Sequence, residues 1–152
     1  MEYTIIDKKN INEVRKEIDR ISKSNKLEEI TVIAGDSDFN RKILENKKVN
    51  VLLFLDFNGR DKLKQRDSGL DHVLCRLAKE NNITIGFDLS FLKDKSDLVI
   101  SQKASRLAQN IKLCNKFGNI VRIFNYSNSE IIKLKAFLLS LGMNNKTIQG
   151  AF

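Results

Sequence analysis

Proline and tryptophan are absent from this 152-residue chain, histidine occurs once, and cysteine only twice. With no Pro- or Ser-rich linker and no low-complexity tract, residues 1–152 read as one domain. Without tryptophan or an RNP-type aromatic motif, stacking of single-stranded bases is not expected to dominate a nucleic-acid contact. A single histidine is too few for a histidine-built metal centre. Cys75 and Cys114 fall inside apolar stripes of two predicted helices, so buried free thiols in a reducing cytoplasm are expected. No apolar run reaches the roughly 20 residues that a membrane span needs. Met1–Asn25 alternates apolar and charged residues and shows no apolar core of a secretory leader.

Acidic residues are scarce at one end. Residues 101–152 carry Lys103, Arg106, Lys112, Lys116, Arg122, Lys133, Lys135 and Lys146 against Glu130 alone. Residues 1–100 hold 19 basic against 18 acidic side chains, so nearly all of the net +8 lies in the last third. That asymmetry suggests a polyanionic partner.

What is present is a repeating βα order. Apolar, β-rich runs occur at Tyr3–Asp7, Ile30–Gly35, Val49–Asp56, Ile83–Leu89 and Ile120–Phe124. They are apolar nearly throughout, as strands covered on both faces must be. Helical patterns lie between them. Asn10 opens the stripe Ile11, Val14, Ile18, Ile21, and Asp36 opens the helix carrying Phe39, Ile43 and Leu44. Ser127–Glu130 forms a capping box ahead of Ile131, Leu134, Leu138 and Leu141, and Gly142 ends that helix. A long helix at about Asp97–Phe117 buries Ile100, Ala104, Leu107, Ile111 and Cys114, which predicts that Lys103, Arg106 and Asn110 face solvent. Such an order gives a parallel sheet with right-handed crossovers. Five units fall short of an eight-stranded barrel, so an open sheet and a barrel fragment both remain.

Four predicted strands end in aspartate: Asp7, Asp36, Asp56 and Asp88. Carboxylates at strand C-termini could hold Mg²⁺ for phosphoester hydrolysis, although Asp36 also has an ordinary role as a helix cap. His72 lies near Asp67, Ser68 and Cys75. Ser68 is expected to cap a helix starting near Leu70, with Asp71 three residues on. Helical spacing turns Val73, Leu74 and Leu77 inward and leaves His72, Arg76 and Lys79 outside, which disfavours acid–base catalysis by His72. Gly59, Gly69 and Gly86 make no phosphate-cradling motif. The loop Arg60-Asp-Lys62-Leu-Lys64-Gln-Arg66 puts four cations in seven residues after a strand, suited to phosphate backbones.

The segments Asp67-Ser-Gly-Leu-Asp-His-Val-Leu-Cys-Arg-Leu-Ala and Asn82-Ile-Thr-Ile-Gly-Phe resemble the archaeal ribonuclease P protein component 3 family. The likeness runs from about Ile30 to Met143. It includes Val49-Asn-Val-Leu-Leu, Arg106-Leu-Ala-Gln-Asn-Ile-Lys-Leu-Cys-Asn-Lys and Leu138-Leu-Ser-Leu-Gly-Met. The resemblance implies an α/β fold, a TIM-like (β/α) barrel of the polymerase/histidinol-phosphatase type, here shortened or incomplete with about five βα units. It implies an RNA-binding, non-catalytic subunit, in which RNA removes the 5′ leader of precursor tRNA. It also implies ribonuclease P RNA, precursor tRNA and protein component 2 as partners, with a heterotetramer through component 2. No cofactor is expected on the protein itself, Mg²⁺ serving the RNA catalyst.

The RNA-facing residues expected are Arg60, Lys62, Lys64, Arg66, His72, Arg76, Lys103, Arg106, Asn110 and Lys112. The chain departs from the family pattern in a short N-terminal part and in Asn125–Ser129, which is expected to lack the combination of basic and aromatic residues often found in that loop. A Mg²⁺-dependent phosphoesterase or nuclease using the strand-end aspartates is the alternative. A scaffold contacting only protein is a third.

Overall fold

A computed structural model describes residues 3–24, 28–55 and 67–152. Five parallel strands stand in sequence order: β1 (Tyr3–Ile6), β2 (Glu29–Ile33), β3 (Val51–Phe54), β4 (Thr84–Asp88) and β5 (Val121–Phe124). The helices are α1 (Ile11–Ser22), α2 (Ser37–Leu44), α3 (His72–Glu80), α4 (Asp97–Phe117), α5 (Ile131–Ser140) and α6 (Asn145–Gln149). All five expected strands are present, trimmed at their ends, and α4 spans the segment its periodicity marked. Its stop is chemical: Gly118 takes φ 66°, the left-handed conformation that suits glycine at a helix end. The Ser127–Glu130 box caps a short 3₁₀ turn that leads into α5. The backbone N–H of Ser127 holds the Glu130 carboxyl below its ordinary range.

When neighbours follow sequence order and crossovers share one hand, the helices collect on one face of the sheet. The core shows that face. Ile6, Val32, Leu52, Phe54, Ile85, Phe87, Val121 and Ile123 pack in one cluster with Val14, Ile18, Ile43, Leu74, Leu107, Ile111 and Leu138 from the helices. Cys75 and Cys114 lie in the same cluster as free thiols. The Cys114 thiol is pushed well up from its usual range, first by its hydrogen bond with Cys75 and then by burial. Both thiols are buried, so both should resist iodoacetamide at about pH 8 in the folded protein and label fully in denaturant. Mass spectrometry of the labelled chain reads this directly; rapid native labelling of either thiol would contradict it.

Val51 and Leu53 point to the opposite face, and both are fully buried there. Curvature is the reason. In a flat sheet β1 and β5 would stand about 19 Å apart at roughly 4.8 Å per strand. Instead the rings of Tyr3 on β1 and Phe124 on β5 meet edge to face with centroids 6.4 Å apart. Arg122 on β5 likewise reaches Glu29 on β2 in an ion pair. Gly86 makes this curl possible: a Cβ there would sit 2.9 Å from Phe124 Cε2 and 3.0 Å from Leu53 Cδ1. The sheet is strongly curled, as an arc of a barrel would be, but β1 and β5 are not hydrogen-bonded and no barrel closes. Past β5 the chain returns after α6, and Ile123 N–H donates to Ala151 O at 2.8 Å, covering part of that edge.

Candidate nucleic-acid interface

The basic loop residues Arg60, Lys62, Lys64 and Arg66, together with Asp56, lie outside the described residues. Both flanks of that loop are described, and α4 touches each of them. On the entry side, Leu55 lines a hollow of about 490 Å³ with Ser90, Phe91, Lys93, Asp94 and Lys103. Lys103 comes from the first half of α4, so a cation of the long helix stands where the loop departs.

On the exit side, Asn110 Nδ2 donates to Ser68 O at 3.2 Å. Asn40 of α2 donates to Gly69 O at 3.4 Å, while its Oδ1 accepts from Gly35 N at 2.8 Å. Both asparagines have no exposed surface. Gly69 adopts φ 76°, and its N–H is held by Asp67 Oδ1 at 3.0 Å. Two buried amides thus clamp the loop exit at Ser68 and Gly69 against α2 and α4.

This corrects three sequence expectations. Asn110 does not face solvent; α4 is covered by the loop exit as well as by the sheet, so its side chain is structural. Ser68 does not cap α3. It is buried, and its hydroxyl donates to Leu70 O at 3.4 Å. Asp71 is the cap instead, accepting from Val73 N at 2.8 Å and Leu74 N at 2.9 Å. Val73 is exposed rather than packed inward, because the buried stripe of α3 runs through Leu74, Cys75 and Ala78 and Val73 lies off it beside His72.

His72 and Arg76 lie on the exposed side of α3, away from Cys75. Lys112 is exposed on the neighbouring α4, and Lys103 and Arg106 are half-buried. These cations share the solvent side of two helices packed side by side. His72 has no nucleophile or carboxylate hydrogen-bonded to it among the described contacts.

The strand-end aspartates are occupied differently. Asp36 caps α2 through Phe39 N at 2.8 Å. Asp88 is buried, its Oδ1 accepting from Ser90 N at 2.6 Å and its Oδ2 from the Asn125 side-chain amide. Asp7 lines a separate hollow of about 310 Å³ with Lys8, Lys9 and Asp36. Among the described residues, no group of three or more His, Cys, Asp or Glu side chains is placed to hold a metal ion.

A buried-amide clamp and a cation-bearing helix pair on a curled parallel sheet can be compared with known proteins. The chain is 34% identical over 122 residues to ribonuclease P protein component 3 of Methanococcus vannielii, covering 79% of this chain and 50% of that protein. It is 30% identical over 131 residues to the component of the same name from Methanococcus maripaludis, covering 86% and 53%. The chain is a homologue of archaeal ribonuclease P protein component 3. The fold agrees. A chain in the cryo-EM structure of archaeal ribonuclease P with mature tRNA superposes with a TM-score of 0.74 at 26% identity, covering 97% of this chain and 63% of that one.

This component 3 homologue spans about half the length of the curated relatives it matches. No protein-family model matches it. Among its described residues, no helix is long and apolar enough to cross a membrane.

Sequence reasoning missed the Asn40 clamp. Its signal was a polar residue one position beyond Phe39 on an apolar helix face, within reach of the glycine turn at Gly35.

Proposed function

We propose that this chain is an RNA-binding subunit of ribonuclease P that supports the RNA in removing the 5′ leader of precursor tRNA and does no chemistry of its own. The observation that carries it is the homology over most of the chain to component 3 proteins, joined by the likeness to a chain within a ribonuclease P–tRNA assembly. The partners are ribonuclease P RNA, precursor tRNA, protein component 2 and the other subunits, in a heterotetramer through component 2. The site of action is the cytoplasm, and Mg²⁺ serves the RNA. The basic loop 60–66 and the exposed cations of α3 and α4 make the RNA-facing surface, excluding the buried Asn110. A Mg²⁺ phosphoesterase finds less support, because Asp36 and Asp88 already hold backbone and side-chain donors.

Reconstitution of the RNA with its protein subunits, with and without this chain, tests the reading: leader removal should fall when the chain is omitted. In the same assay His72→Ala should stay within about tenfold of wild type, because losing a general acid or base costs about 10²–10⁴. A loss of that size with assembly intact would make His72 catalytic and overturn the subunit reading.

A further inference from the structure

At the opposite end of α4 from Lys103 lies a hollow of about 520 Å³, bounded by the ends of α3 and α4, the start of β5, and α6. Its volume is that of ordinary small-ligand sites. Lys79 and Lys146 line it, with Asn115, Asn119, Asn144 and Thr147, and no carboxylate is among its lining residues. The hollows beside Asp7 and beside Leu55 each contain at least one carboxylate, so this one is distinct in charge.

Its polar groups are partly committed and partly spare. Lys79 Nζ donates to Gly118 O at 3.2 Å, which leaves two of its three donors. Asn115 and Asn144 tie the end of α4 to the turn before α6, through Asn115 Nδ2 to Gly142 O at 2.7 Å and Asn144 Nδ2 to Asn115 Oδ1 at 3.0 Å. Those bonds hold the wall rigid. Asn119 is 5% exposed; its Nδ2 donates to Cys75 O at 2.8 Å, and its Oδ1 has no hydrogen-bond partner. That oxygen is closed off from solvent and lies in the wall beneath the hollow. Beside it Ile120 is 61% exposed, an apolar surface at the rim.

Two ammonium groups in a hollow whose lining holds no carboxylate favour an anion, and phosphate oxygens are their commonest partner on nucleic acids. An apolar rim suits a sugar or base face. We propose that this hollow binds a phosphate-bearing nucleotide of an RNA strand. The proposal rests on the RNA-subunit reading and extends it. Gly118 lies about 22 Å from Lys103 along α4, at 1.5 Å per residue. The RNA would therefore follow the solvent side of α3 and α4 from the basic loop to this second anchor.

The test needs the wild-type chain and one variant. Amide resonances of residues 115–121 and 144–150 are followed during titration with an RNA stem-loop and, separately, with inorganic phosphate. The stem-loop should shift them at concentrations where phosphate alone does little. Shifts with phosphate but not with RNA would mean a free-anion site and overturn the proposal, as would no shift with either.

The variant is Lys79→Gln with Lys146→Gln, which keeps a donor for Gly118 O. Removing the one phosphate contact that the two lysines share should flatten the slope of log affinity against log salt by about 0.7–0.9. If wild type binds the stem-loop while the variant matches it in slope and affinity, the hollow is not an RNA site, yet the subunit reading stands. If wild type fails to bind RNA and leader removal does not need the chain, both readings fall. The amide titration uses wild type alone, so it decides even where the variant folds poorly.

Discussion

Replacing Lys62, Lys64 and Arg66 together by alanine should flatten the salt dependence of RNA affinity by about two units and weaken binding on the order of tenfold or more at physiological salt. Each phosphate contact releases condensed counterions and contributes about 0.7–0.9 to the slope of log affinity against log salt. The loop leaves β3 at Leu55, beside Lys93 and Lys103, and returns at the Asn40–Asn110 clamp. Lys103→Ala combined with Arg106→Ala should move the slope in the same direction. The matched control is Lys8→Ala with Lys9→Ala, from the part of the chain where charge is balanced. An equal loss in that control would mean a diffuse charge effect and no localised patch. Filter binding or fluorescence anisotropy across about 0.05–0.5 M salt reads the slopes.

Phe87→Ala should destabilise the fold by about 3–5 kcal/mol, the usual cost of deleting a fully buried phenylalanine. Phe87 sits on β4, the strand between β3 and β5, and points into the helix-covered core. Its ring stands 6.1 Å from that of Phe54 on the neighbouring strand. The cavity left between sheet and helices cannot collapse easily, because strands on both sides are held in register. At roughly 2–4 °C per kcal/mol for a chain of this size, the melting temperature should drop by about 10 °C. Leu98→Ala is the comparison: Leu98 is 68% exposed, and its loss should change stability by under about 0.5 kcal/mol. A Phe87 variant that melts within a degree or two of wild type would mean that the sheet–helix core is not as packed as described.

Both predictions draw on features of unequal legibility. The strand containing Phe87 was readable because a run such as Ile83–Leu89 is apolar on both faces, which is a local property of the sequence. The bounds of α4 were readable for the same reason: the 3.6-residue stripe begins after the Ser96 cap and stops at a glycine. Component 3 resemblance was readable in Asp67–Ala78 and its neighbours.

The faces of individual side chains were less so. Asn110 lies on the flank of the apolar stripe, three residues past Leu107 and four before Cys114, and the exit of the β3–α3 loop covers it. Val73 fits an inward position beside Leu77 by period, but the stripe that packs runs through Leu74, Cys75 and Ala78. The short α6 has too few residues to show a period at all.

The sequence by itself determined a parallel α/β chain of five βα units, the identity of most core residues, the burial of both cysteines and the separation of basic from balanced regions. Only the tertiary structure decided the strand order, the curl that brings Tyr3 to Phe124, the Asn40–Asn110 clamp, and the acid-free hollow joining Lys79 to Lys146. The physical reason is the range of the interactions. Hydrophobic periodicity and helix caps act between residues a few positions apart. Sheet curvature, buried amide bonds and pockets are set by partners such as Ser68 and Asn110, or Lys79 and Gly118, which meet only after the chain has folded.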